Sequence, residues 1–348
     1  MQTKTLLPSV SVILPIRNEI VYIERCLKAI LAQNYPHNRM EVLIIDGMSN
    51  DGTRDYISKI LADFREFPVY LIDNPARIVP AALNIGLDNA KGDIIVRIDG
   101  HCEVAPDFVI NGVKHLLEDK IDGVGGLIQT IGETELSQAI ALAMSSPFGV
   151  GDSTFRTQKG VNRFTDSIVF PAYKKRTIQR NGYYDEEMNC NEDDEYNYRL
   201  RNLGMRLFQA GDIKSRYYCR SSFFSLLKQY FRYGYWKVRV LQKYPLQMRP
   251  RQFVPLLFVI GLIGSLAAAI FSIWGWFFFA IAFGSYLLAN FTSSFLISAR
   301  HGWQYLKLLP VAFFVLHLSY GLGFLLGLLK FWRKWGNRKE QLVLTHSE

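Results

Sequence analysis

Apolar and polar positions switch between two periods along the first hundred residues. Val10 to Leu14 is a short β-branched, apolar run of the kind that forms a strand buried on both faces. Ile23, Leu27, Ile30 and Leu31 then recur at helical spacing after Asn18, a residue type suited to an N-cap, until Asn34-Tyr35-Pro36 stops the pattern. The strand signal returns at Val42 to Ile45, and Tyr56, Ile57, Ile60 and Leu61 share one face of a second helix. Val69 to Ile72 and Ile94 to Ile98 give two further strands around a helix through Ala81 to Ala90. Strand and helix in alternation predict an α/β domain with a right-handed, doubly wound, mostly parallel sheet. Ligands of such sheets bind beyond the carboxyl ends of the strands, so the polar residues at those ends are the candidates for chemistry.

The back of the chain has a different pattern. From Phe253 to Ala299 there are 47 residues without Asp, Glu, Lys or Arg, enough for two membrane spans of about 20 residues with a tight turn near Ser272 to Gly275. A third candidate, Leu308 to Leu329, contains His317 and several glycines, which suit a face turned into a helix bundle. Charge divides the chain at the same place. Residues 1–212 hold 29 acidic and 23 basic side chains and residues 213–348 hold 2 and 17, so −6 and +15 sum to the net +9. The expected organisation is an α/β domain over 1–215, a basic aromatic segment over 216–252, a membrane region of two to three apolar helices over 253–329, and a basic polar tail over 330–348.

With 49% apolar residues the chain is neither disordered nor collagen-like, and its four scattered cysteines form no disulfide framework, which suits a reduced, cytoplasmic setting. The apolar run at Leu6 to Ile16 is interrupted by Pro8 and Pro15 and closed by Arg17, so it does not read as a signal peptide. Arg216 to Arg251 carries nine basic and no acidic residues among Phe223, Phe224, Tyr230, Phe231, Tyr233, Tyr235 and Trp236. Such interleaving suits nucleic acid or an anionic membrane surface; the apolar stretch that follows favours an interfacial helix and no nucleic-acid partner. With the first domain inside, three full spans place Lys330 to Lys339 outside, against the positive-inside tendency. Either the third segment is re-entrant or interfacial, or the tail breaks the tendency.

The first strand ends in Pro15-Ile16-Arg17-Asn18-Glu19 and the second in Asp46-Gly47-Met48-Ser49-Asn50-Asp51-Gly52-Thr53. Carboxylates there can accept hydrogen bonds from a base or ribose; Asp51 and Thr53 can equally cap the next helix. The fourth strand ends in Asp99-Gly100-His101, which puts two metal-ligand types on one side of an extended segment, in reach of Mn²⁺ or Mg²⁺, or else a turn Asp and a surface His. Asn191-Glu192-Asp193-Asp194-Glu195 opens a helix; the carboxylates complement the helix dipole with Asn191 as N-cap, yet four exceed what capping requires and one can serve as a general base. There is no G-x-G-x-x-G and no P-loop motif.

Taken in order, these segments resemble the family 2 glycosyltransferases of the GT-A fold. The likeness rests on Ser11 to Pro15 with Asn18-Glu19, the Asp46 to Thr53 turn, Asn84-x-Gly86, Asp99-Gly100-His101, Gly182 to Glu186, Glu192-Asp193 with Arg199-Leu200, and Gln229-x-x-Arg232-Tyr233. It covers about residues 9 to 240 and is most similar to bacterial membrane-attached enzymes of succinoglycan-type exopolysaccharide assembly. The resemblance implies an inverting hexosyltransferase that moves a sugar from a nucleotide-diphospho-sugar, a UDP-hexose, to a hydroxyl of a polyprenyl-linked saccharide. It implies a multi-pass protein of the bacterial inner membrane with a cytoplasmic catalytic domain. By position, Asp193 is the catalytic base; Pro15, Glu19, Asp46, Asp51, Asn84 and Asp99 line the donor; Asp99 and His101 hold a divalent cation; and Glu192, Gln229, Arg232 and Tyr233 meet acceptor or phosphate. His101 replaces the second acid of the usual D-x-D, and Tyr233 the usual Trp. A polyprenyl-phosphate sugar synthase and a non-catalytic nucleotide-sugar-binding scaffold are the alternatives.

Overall fold

The computed structural model describes residues 7–63, 68–118, 120–151, 153–157, 160 and 162–335. The chain runs β1 (Val10–Ile16), α1 (Ile23–Leu31), β2 (Met40–Asp46), α2 (Thr53–Asp63), β3 (Val69–Asp73), α3 (Val79–Asn89), β4 (Ile94–Arg97), β5 (Cys102–Val104), α4 (Phe108–Leu116) and β6 (Gly123–Ile131). It continues through α5 (Glu135–Met144), α6 (Pro147–Val150), α7 (Thr154–Thr157), β7 (Arg163–Thr165), β8 (Ala172–Lys174), α8 (Lys175–Asn181), α9 (Glu192–Asn202) and β9 (Leu207–Tyr218). Four long helices follow: α10 (Phe223–Lys243), α11 (Val254–Ala269), α12 (Ile273–His301) and α13 (Leu309–Lys330). Two compact units result, one from Met1–Gln129 with Gln158–Tyr217, the other from Thr130–Thr157 with Tyr218–Arg338. The division expected at residue 215 lies close to the end of the first unit, but residues 130–157 belong with the second.

The first unit is built on a sheet of order β3-β2-β1-β4-β8-β6-β9-β5, with β7 beside β9. β1 is parallel to β2 and β4, and β2 to β3, as the alternating pattern predicts. Beyond β4 the sheet turns antiparallel, because β8 runs against both β4 and β6. Three-residue strands such as β8 are too short to show a period of their own. β1 reads as apolar apart from Ser11, and all seven of its residues are buried. On one side of the sheet Ile13, Leu43, Ile45 and Ile95 meet Ala82 and Leu83 of α3 and the rings of Tyr173, Tyr184 and Tyr196. Each such aliphatic side chain contributes about 1.5–3 kcal/mol by leaving water.

Register aligns the carboxyl ends: Ile16 lies beside Asp46, and Asp46 beside Asp73. Asn18 does not cap α1. Tyr22 takes the N-cap position, while Asn18 adopts φ 56 and its Oδ1 accepts the Asn50 N–H at 3.0 Å. The loop after β1 is thereby fastened to the loop after β2, an arrangement that a helix-capping side chain would forgo.

In the second unit, Pro250–Ala269, α12 and α13 are long and apolar enough to cross a membrane. Ile263, Ile270, Phe271, Ile273 and Leu288 stand exposed on α11, α12 and the turn between them, a surface suited to hydrocarbon. The turn lies where expected, with Ser272 as N-cap of α12. His317 faces the interior: its Nε2–H donates to the Phe148 carbonyl at 2.9 Å, so its Nδ1 accepts from the Tyr286 hydroxyl at 3.1 Å. α10 packs backbone-close on α13, and a Cβ on Gly234 would lie 2.0 Å from the Tyr320 carbonyl oxygen and one on Gly323 2.1 Å from that of Phe231. The basic aromatic helix therefore buries one face against a neighbour. Of the expected basic tail, residues 336–348 lie outside the described residues.

Candidate active site

β4 carries the sequence Ile94-Ile95-Val96-Arg97, so a guanidinium stands at the end of an otherwise apolar, buried strand. A buried cation needs anions, and Arg97 has two. Its Nε lies 2.9 Å from Asp99 Oδ1 and its Nη2 3.3 Å from Asp99 Oδ2; the same Nη2 donates to Glu192 Oε1 at 2.9 Å. Burial works against all three charges. The two carboxylates outweigh it for Arg97, whose pKa lies well above the ordinary value. For Asp99 burial is likewise outweighed by the guanidinium, which holds the carboxyl below its usual range.

Glu192 opens α9, and the acidic cluster resolves into separate tasks. Asn191 precedes it at φ 61 with no side-chain capping bond, so the N-cap expected from its residue type is one of position only. Glu195 is held by Arg199, which approaches its two oxygens at 3.1 Å and also donates to the Asn181 and Tyr183 carbonyls at 2.5 and 2.7 Å. That pair ties α9 to the segment before it. Asp193 is different. Its Oδ1 accepts the Asp194 N–H at 2.8 Å, but burial, and then the negative charges of Asp194 and Glu192, push its carboxyl up to about 7 against the opposing pull of Arg97.

His101 follows Asp99 by two residues. Its Nδ1 lies 3.1 Å from Glu19 Oε1, and its ring meets the Tyr217 ring edge-on with centroids 5.2 Å apart. Gly100 permits this approach, since a Cβ there would come within 2.8 Å of Ile16 Cγ2 and 3.1 Å of Glu19 Cγ.

The remaining expected donor residues lie at the strand ends, already engaged. Asp46 is buried, accepts from Ser49 Oγ at 2.5 Å, and pairs with Arg54 at 2.8 Å; Arg54 also reaches Asp73 at 2.6 Å. Asp51 accepts from the Ile20 and Thr53 backbone N–H groups at 3.1 Å each, which fits the turn-and-cap reading. Asn84 is buried and joined to Tyr184 through both backbone groups, at 3.0 and 2.8 Å, and to Glu186 at 2.9 Å, so it anchors the Gly182 to Glu186 segment. Pro15 is buried in β1 opposite Ile45. Gln229, Arg232 and Tyr233 lie on α10 in the second unit, where Gln229 donates to the Tyr233 hydroxyl at 2.9 Å and Arg232 is exposed. Arg97 and Arg54, which organise the carboxylates, were visible in the sequence only as cations next to apolar or acidic runs.

Among the described residues no three or more His, Cys, Asp or Glu side chains come together as a metal site. Asp99 and His101 offer two ligands on one segment. That number fits a Mg²⁺- or Mn²⁺-type site completed by substrate phosphates and water rather than a closed protein cage.

A family model, Glycosyl transferase family 2, matches residues 11–185. The chain is 30% identical over 240 residues to a dolichyl N-acetyl-alpha-D-glucosaminyl phosphate 3-beta-D-2,3-diacetamido-2,3-dideoxy-beta-D-glucuronosyltransferase of Methanococcus voltae, covering 67% of this chain and 74% of that protein. It is 29% identical over 330 residues to the succinoglycan biosynthesis protein ExoA of Rhizobium meliloti, covering 93% and 96%. Among solved structures, a mannosyltransferase from Pyrobaculum calidifontis, in complex with GDP-Man and Mn²⁺, superposes with TM-score 0.57 at 19% identity over 91% of this chain and 88% of that one. That likeness establishes the fold: a GT-A-like α/β domain with a mixed sheet.

Proposed function

Because the chain belongs to glycosyl transferase family 2, we propose that it moves a hexose from a nucleotide-diphospho-sugar to a hydroxyl of a lipid-linked saccharide, with inversion, in the assembly of an exopolysaccharide. The observation that carries this reading is the state of Asp193. A carboxyl poised at about 7 in the first turn of α9 can accept a proton near neutrality, whereas the neighbouring Glu195 is engaged by Arg199.

In the proposed step, the Asp193 carboxylate takes the proton of the acceptor hydroxyl as that oxygen bonds to the anomeric carbon. The bond from the anomeric carbon to the diphosphate oxygen breaks, and its electron pair leaves with the nucleoside diphosphate. A single displacement inverts the centre, so an α-linked donor gives a β-linkage. Asp99 and His101 would hold a divalent cation together with the diphosphate, and the cation, when bound, supplies the charge neutralisation that the leaving group needs. Arg97 keeps Asp99 and Glu192 in place and counters the accumulation of negative charge around Asp193.

Two relatives support the acceptor: one is named for a dolichyl phosphate-linked sugar, the other for succinoglycan biosynthesis. The three apolar helices suit an enzyme that meets a polyprenyl-linked acceptor in the plane of the bilayer, with the catalytic domain on the cytoplasmic face of a bacterial inner membrane. Basic residues of α10, Arg232 among them, are then suited to the acceptor's phosphates. The test is release of UDP or GDP by the purified protein from a panel of UDP- and GDP-sugars, with Mn²⁺ or Mg²⁺ and a polyprenyl-diphosphate-linked saccharide. Release is expected from one donor and only with acceptor present; no release from any donor overturns the reading.

A further inference from the structure

The sequence places Glu19 among residues that touch the nucleotide. Four features of the fold give it another task. First, the main chain around Glu19 is fixed: its N–H donates to Thr53 Oγ1 at 2.9 Å, its carbonyl accepts the Tyr22 and Ile23 N–H groups at 2.9 and 2.8 Å, and Asn18 before it holds φ 56. Second, Glu19 Oε1 lies 3.1 Å from His101 Nδ1, and a carboxylate oxygen only accepts, so Nδ1 carries the proton. Third, Tyr217 meets the imidazole edge-on and limits its rotation. Fourth, Gly100 leaves the space that lets the Asp99 to His101 segment close on Glu19, which any larger residue would fill.

We propose that Glu19 is a positioning residue for a metal ligand: it holds the His101 ring as the Nδ1–H tautomer, so that Nε2 presents its lone pair to a divalent cation shared with Asp99 and the donor diphosphate. A carboxylate behind a ligating imidazole fixes ring orientation and raises ligand basicity. It also offsets the use of a neutral imidazole where an acidic side chain would bring its own negative charge. The inference rests on the reading that Asp99 and His101 hold the cation.

The experiment is Mn²⁺ titration of the detergent-purified full chain, followed by electron paramagnetic resonance, with UDP or GDP present; nucleotide binding is measured separately in EDTA. Glu19→Gln is expected to weaken Mn²⁺ binding about 10- to 100-fold, to alter the ¹⁴N coupling of the bound Mn²⁺, and to leave nucleotide affinity in EDTA unchanged. Glu19→Asp, which keeps a carboxylate, is expected to recover part of the Mn²⁺ affinity. Wild-type Mn²⁺ affinity in Glu19→Gln, with loss in His101→Ala, overturns the role of Glu19 and leaves the metal reading standing. Equal loss of nucleotide affinity in EDTA also overturns it, in favour of direct nucleotide contact. Wild-type Mn²⁺ binding by both His101→Ala and Asp99→Asn overturns the metal reading itself.

Discussion

Arg97 and Glu192 stand 95 residues apart in the chain, and the Arg97 Nη2 lies 2.9 Å from Glu192 Oε1. The bond joins the end of a central strand to the first turn of the helix that bears Asp193. Because the same guanidinium also grips Asp99, it couples the segment that would hold the donor diphosphate to the segment that would receive the acceptor's proton.

Removing that cation leaves two carboxylates buried without their partner. Arg97→Met is expected to cost about 3–5 kcal/mol, read as a lowered midpoint of thermal unfolding. It also removes a positive charge that draws the Asp193 carboxyl down, so the acidic limb of the pH–rate profile should move to higher pH. Arg97→Lys keeps the charge but lacks the planar fork, and should restore stability only in part. An unchanged midpoint in Arg97→Met would show that the pairs contribute nothing.

Asp193 titrates between an ordinary 3.8 in the unfolded chain and about 7 in the fold. The folded protein therefore binds the extra proton over that window; stability from this group is full below 3.8 and is lost as pH rises through 7. Catalysis runs the other way, since only the ionised carboxyl accepts a proton: kcat/KM should rise to a plateau with a midpoint near pH 7. Asp193→Asn should cut transfer to a sugar hydroxyl by about 10²- to 10⁴-fold with the donor's Kd unchanged, and its stability relative to wild type should improve from pH 5 to pH 8. If the acceptor nucleophile is instead a lipid phosphate, already ionised, the same substitution should merely weaken transfer, and steady-state kinetics with both acceptors separates the cases.

The crossing of α10 and α13 depends on missing side chains. Gly323→Val puts heavy atoms where the Phe231 carbonyl stands, and the helices must part. Overpacking of this kind costs about 1–3 kcal/mol, expected as a lower unfolding midpoint in detergent, whereas Gly261→Val, with open space around its Cβ position, should leave the midpoint within error.

The parallel half of the sheet and the apolar helices were legible because each is a long run with one dominant pattern, sustained by burial in β1 and by an uninterrupted apolar surface on α12. The carboxylates at the strand ends and at the start of α9 stand out in the sequence, but the partners that engage them do not. Nothing in the order Glu192-Asp193-Asp194-Glu195 tells which carboxylate stays available; that is decided by Arg97 and Arg199, which arrive from 95 and 4 residues away. Likewise the sequence does not show that Ser49 with Arg54 engages Asp46, or that the Tyr184 backbone engages Asn84. Asn18 does not cap α1, and Asn191 holds the N-cap position of α9 without a side-chain capping bond; both have a left-handed backbone, which one sequence cannot display.

Residues 130–157 belong to one unit with helices that follow Tyr218 in the chain. Tyr305 binds Gln138 at 2.7 Å, Lys307 binds Glu135 at 3.1 Å, and His317 binds the Phe148 carbonyl, so each partner of that early segment emerges well over a hundred residues later. Segments far apart in the chain thus close one unit, and α5 and α6 cannot complete their packing before α13 has been made.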